Sequence, residues 1–89
     1  MSGGRRTNTP RTVTSRAMTI LSVFLNGPPV MSLQEISRRT GLPISTTHRL
    51  VAELTQWGAL ARSDRCTYRV GPLVLRLAAV IRNDQRRTA

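Results

Sequence analysis

The chain has 89 residues and 14 basic side chains, every one an arginine, against four acids and a net charge of +10. That length allows one small domain with a modest core, and the charge favours a polyanionic partner, nucleic acid before an anionic membrane. The single cysteine, Cys66, excludes an intrachain disulfide and a cysteine-based zinc site, and no paired acids, metal cluster or nucleophile–base pair suggests an enzyme.

Residues 1–12 are Gly, Thr, Pro and Arg without apolar periodicity, which reads as a disordered basic arm. Arg5, Arg6 and Arg11 there suit a groove or phosphate contact, or a plain solvated tail. The absence of an apolar N-terminal segment excludes a secretory signal and, with the lone cysteine, favours a cytoplasmic protein. The spacing of Val13, Ala17, Ile20, Leu21 and Phe24 predicts a first helix over residues 15–25, facing the core on that side and capped by Thr14 or Ser15. Asn26-Gly27 and the two prolines after it end that helix.

The most informative stretch follows: SLQEISRRTGLPISTTHRLVAELTQW, residues 32–57. Ser32 and Glu35 have the spacing of a capping box, in which each side chain satisfies the other's backbone N–H. Leu33 and Ile36 turn inward and Arg38 and Arg39 outward, and Gly41 ends this second helix. Pro43 fits the first position of a third helix over residues 43–57. Thr47, Leu50, Val51 and Leu54 form its buried stripe. Ile44, Ser45, His48, Arg49 and Ala52 fall on its outer face, with Thr46 at the edge, and Trp57 is expected to staple the helix end into the core. Two short helices crossed at a Gly turn, the second opening with hydroxyls and an arginine, make a helix-turn-helix, whose second helix enters the DNA major groove. Small residues suit the crossing point; Ser37 occupies it, where Ala is commoner.

Residues 59–63 and 67–70 read as two strands of a hairpin, or wing, around the turn Asp64-Arg65-Cys66. Gly71-Pro72 opens a fourth helix with Leu73, Leu77, Val80 and Ile81 along one side; residues 83–89 are polar and expected to fray. The predicted fold is mainly α with a small β-hairpin, a winged helix-turn-helix over residues 13–82.

The outer face of the third helix is then the candidate DNA surface. Ser45 and Thr46 hydroxyls suit phosphate or base edges, Ile44 a thymine methyl, and Arg49 a guanine or phosphate. Arg49 has a rival reading as the ion-pair partner of Glu35 or Glu53, and His48 is equally a solvated surface residue. Arg62, Arg65 and Arg69 on the wing face backbone or minor groove. The fourth helix, basic and apolar, also suits an anionic membrane surface or a protein partner, an alternative role for the whole chain. Three aromatics and no RNA-module signature argue against RNA.

The strings Ser15-Arg16-Ala17, Ser32-Leu33-Gln34-Glu35-Ile36, Thr40-Gly41-Leu42-Pro43-Ile44-Ser45-Thr46-Thr47-His48-Arg49-Leu50 and Tyr68-Arg69-Val70-Gly71-Pro72, in that order, closely resemble the IclR-type transcriptional regulators. The resemblance implies a winged helix-turn-helix that binds double-stranded operator DNA as a homodimer or higher oligomer, without a cofactor. It implies DNA contacts from Arg16, Ser32, Ser45, Thr46 and Arg49. The position of Ile44 is often basic or polar in that family, so an altered operator preference is expected. The family usually carries an effector-binding domain after the fourth helix, which these 89 residues do not include. The expectation is therefore the DNA-binding portion of a larger regulator, or a stand-alone module. Dimer contacts are expected from Met18, Val23, Leu75 and Ala79.

Overall fold

The structure, a computed structural model, describes the backbone of residues 12–88 and side chains through residue 83. Arg5, Arg6 and Arg11 of the expected arm lie outside the described residues. Seven elements follow in order: α1 (Val13–Asn26), β1 (Met31–Ser32), α2 (Leu33–Thr40), α3 (Ile44–Trp57), β2 (Leu60–Asp64), β3 (Thr67–Val70) and α4 (Pro72–Thr88). The strands form one antiparallel sheet in the order β1-β3-β2. This is the expected winged helix-turn-helix with one addition. The hairpin gains an edge strand, Met31 and Ser32 pairing with Tyr68 and Thr67. Two residues carry no alternation, so this strand left no periodic signal.

The core is small and continuous. Ile20 of α1, Met31 of β1, Ile36 of α2, Leu50 and Val51 of α3, and Leu60 and Tyr68 of the sheet bury against one another, with Leu42 between α2 and α3. Leu21, Val23, Phe24, Leu33 and Leu54 pack around them. Each of the three helices thus contributes one apolar stripe, and none has enough apolar surface to fold alone.

Several local expectations are corrected. α1 begins two residues earlier than predicted because Thr12 caps it, its Oγ1 accepting the Ser15 N–H at 2.9 Å. Val13 is exposed, since the first helical residue overhangs the core edge. Pro43 is the N-cap of α3, with extended ψ of 150°, and not its first helical residue. Trp57 is 77% exposed, not core. It lies on the flank of α3, at the rim of a shallow cleft with Val13, Ala17, Leu54 and Leu73. Along α4, Leu73, Leu77, Val80 and Ile81 are all exposed. The helix contacts β2 and runs to Thr88. Among the described residues no helix is long and apolar enough to cross a membrane.

Two glycines carry the geometry that sets the helices and the wing. Gly41 adopts φ 78°, a left-handed cap whose N–H donates to the Ser37 carbonyl at 2.9 Å, and a Cβ there meets open space. Gly71 stands at the β3–α4 junction, where a Cβ would lie 2.3 Å from the Gly58 carbonyl oxygen and 2.8 Å from that of Leu60. Gly41→Ala therefore meets only backbone strain and should lower unfolding stability by about 1–2 kcal/mol in urea titrations. Gly71→Ala meets fixed backbone and should lower it by more. The reverse order would show that the junction of wing and α4 is looser than the structure has it.

Candidate nucleic-acid interface

The site is built from the α2–α3 turn outward. Ser32 caps α2, its Oγ accepting the Glu35 N–H at 3.1 Å. Only this half of the expected capping box forms. The Glu35 carboxylate engages Arg39 Nε at 2.5 Å and Arg38 instead of reaching back to the Ser32 N–H. At the turn, the Ser37 hydroxyl donates to the Leu42 carbonyl at 2.6 Å. The Thr40 hydroxyl donates to the Ile36 carbonyl and accepts the Leu42 N–H. A serine at the crossing point is thus small enough for close approach and also satisfies a carbonyl of the turn that alanine would leave to solvent. Beyond the turn, the fully buried Thr47 donates its hydroxyl to the Pro43 carbonyl at 2.9 Å. That bond removes the cost of burying a polar atom at a core position.

With Thr47, Leu50 and Val51 locked inward, the opposite face of α3 is presented to solvent. Ser45, His48, Arg49 and Ala52 are exposed there, Thr46 is half-buried, and Ile44 is 49% exposed. No side chain caps α3, so its first-turn N–H groups stay open to an acceptor. The Arg49 side chain has no ion pair or hydrogen bond among the described residues. Its rival reading as the partner of Glu35 falls, because Arg38 and Arg39 occupy that carboxylate, and Glu53 forms no salt bridge with it either.

The remaining predicted residues stand on α1, at the start of α2 and on the wing. Arg16 is half-buried in the first turn of α1, its N–H donating to the Thr12 carbonyl at 3.0 Å. Ser32 is half-buried, its lone pair used by the cap while its proton remains able to donate. Arg65 and Arg69 are exposed on the wing. Arg62 is exposed too, but its guanidinium turns back onto the hairpin. Its Cζ lies 5.4 Å from the Tyr68 ring centroid, and Nη1 donates to the Arg65 carbonyl at 3.1 Å. The turn is held on its other side by Asp64, whose Oδ1 accepts from the Cys66 N–H at 3.3 Å and the Thr67 hydroxyl at 3.0 Å. Tyr68 as a platform was missed in the sequence. The alternation of TYRV signals that Tyr68 turns inward, and the cross-strand register then sets it opposite Arg62.

The fold and this surface define a winged helix-turn-helix, a DNA-binding class. The IclR helix-turn-helix domain matches residues 13–64, which is 52 of the 89 residues. The HTH-type transcriptional regulator KipR of Bacillus subtilis is 32% identical over 66 residues, covering 74% of this chain and 26% of that protein. The HTH-type transcriptional regulator Rv1719 of Mycobacterium tuberculosis is 37% identical over 71 residues, 79% of this chain and 27% of that one. The crystal structure of the Agobacterium tumefaciens repressor BlcR superposes with a TM-score of 0.66 at 37% identity, covering 75% of this chain and 27% of that chain. The chain therefore belongs to the IclR family of transcriptional regulators and carries its DNA-binding helix-turn-helix domain. It spans about a quarter of the length of the curated relatives it matches.

The Arg39 hydrogen bond, joined by the charges of Arg38 and Arg39, holds the Glu35 carboxyl below its ordinary value. A carboxyl lowered in the folded state stabilises the fold above its unfolded value, and that contribution disappears as pH falls through the folded value. Glu35→Gln should melt below the wild type near neutral pH, and the gap should close as pH drops beneath the ordinary glutamate value of about 4.3. Thermal scans across that range check this; equal melting at neutral pH would make the pair idle.

Proposed function

We propose that the chain is the sequence-reading part of a bacterial transcriptional regulator, laying α3 in the DNA major groove. Ser45, Thr46, His48 and Arg49 then face base edges and adjoining phosphates. Arg16, Ser32, Arg65 and Arg69 grip the backbone on either side, and Ile44 lies against a thymine methyl. The observation that carries this reading is the outer face of α3. Its polar side chains have no protein partner among the described residues, while its inner face is immobilised in the core. The similarity to KipR and Rv1719, transcriptional regulators, and to the repressor BlcR supports regulation as the outcome.

A second copy completes the unit. Met18 and Leu75, expected at a dimer surface, are exposed, and Leu25, Leu77, Val80 and Ile81 extend the apolar area over α1 and α4. Val23 is not available there, because it packs against the core, and Ala79 is half-buried. A groove lined by Met18, Leu21, Phe24, Leu25, Val70 and Val74 runs between the two helices. A two-fold dimer favours a partly palindromic site with half-sites one helical turn, about 34–36 Å, or a multiple apart.

Selection from a random duplex pool tests the reading: a partly palindromic consensus is expected, and tight but sequence-blind binding would count against it. On that site Arg49→Ala should weaken binding by about 1–3 kcal/mol with the fold intact; unchanged affinity would make Arg49 idle. If each protomer neutralises about three to four phosphates, a dimer's log–log salt slope should lie near −5 to −7. A flat response would contradict the phosphate grip.

A further inference from the structure

Arg62 has the position of a phosphate contact and the geometry of something else. It stands opposite Tyr68 in the β2–β3 ladder, next to a register shift that bulges the strand between Arg62 and Asp64. A bulge interrupts regular pairing and bends the strand, so the ladder alone does not fix the direction of the tip. Two side chains close this tip. Asp64 holds one side through the Cys66 N–H and the Thr67 hydroxyl. Arg62 holds the other, its guanidinium placed against the Tyr68 ring and hydrogen-bonded to the carbonyl of Arg65. Tyr68 is itself fixed, buried in the core and paired on its far side with Met31. Arg62 therefore links the rigid sheet to the backbone of the one residue at the tip whose charge is free to project.

We propose that Arg62 is a positioning residue for the wing: it acts on DNA through Arg65, by fixing the tip, and not through a phosphate of its own. This rests on the DNA-binding reading above. A cation already stacked on an aromatic face and donating to a carbonyl would have to give up both contacts to reach a phosphate. Arg65 makes no such commitment with its side chain among the described residues. Lysine cannot reproduce the planar fork that spans ring and carbonyl, although it keeps the charge.

The test is a double-mutant cycle on the selected duplex: wild type, Arg62→Ala, Arg65→Ala and the pair, with melting temperatures of the free proteins alongside. Arg65→Ala should weaken binding several-fold, and Arg62→Ala by a similar factor. Together they should weaken it no more than Arg65→Ala alone, because the tip then has no charge to aim. The salt slope of the pair should equal that of Arg65→Ala. Arg62→Lys should behave like Arg62→Ala, and this charge-retaining variant serves if the alanine variant melts early. Losses that multiply, a further drop in salt slope in the pair, or full affinity in Arg62→Lys would make Arg62 a phosphate contact in its own right and overturn the proposal. So would an effect of Arg62→Ala when Arg65→Ala has none. A wild-type chain that binds no duplex would instead remove the DNA-binding reading on which both residues depend.

Discussion

The rest of the structure depends on the turn between α2 and α3. Gly41 reverses the chain in a left-handed conformation, and the Ser37 hydroxyl closes the turn onto the Leu42 carbonyl. Leu42 drops into the core beneath it, and Pro43 starts α3 in a fixed direction. These contacts set the angle between the two helices. The apolar stripe of α3 then decides which of its faces meets the core, and so which face meets solvent. Thr47 shows the constraint most clearly. It is a polar residue buried in the stripe, tolerated because its hydroxyl reaches the Pro43 carbonyl at the cap.

Charge is the second constraint. A chain of net charge +10 repels itself when compact, and little acid is available to offset it. Glu35 is spent on Arg38 and Arg39, the two cations at the C-terminal end of α2, where they also suit the helix dipole. Asp64 is spent on the wing turn. Glu35 and Asp64 thus brace the scaffold, while Arg49, Arg65 and Arg69 are exposed with no side-chain partner among the described residues. On the DNA-binding reading proposed above, phosphate would offset part of this self-repulsion.

Much of this was legible in the sequence, and the parts that were not share a cause. The helix-turn-helix could be read because its signals are local: a cap at Ser32, a stop at Gly41, an apolar stripe with the helical period. The inward and outward faces of α3 followed from that period. What failed depended on how far the core extends. Trp57 was expected inside because it is large and apolar, yet it lies on the flank of its helix with nothing packed over it. The same holds for Leu73, Leu77, Val80 and Ile81 on α4, a stripe with helical spacing that this chain alone leaves uncovered. Periodicity shows that a face is apolar but not whether the chain itself covers it. The residues that brace the wing escaped for another reason. Arg62 reads as one more cation in a basic chain, and only the cross-strand register brings it onto Tyr68.

The central claim is that α3 reads the major groove, and methylation interference on the selected duplex tests it most directly. Guanine N7 lies in the major groove and adenine N3 in the minor groove, so methylation at each reports on one groove alone. Interference at guanine N7 within each half-site, lost at one position in Arg49→Ala, is the result expected if α3 occupies the major groove with Arg49 toward the bases. Interference confined to adenine N3, with guanine N7 methylation tolerated throughout, would place the protein in the minor groove and contradict it.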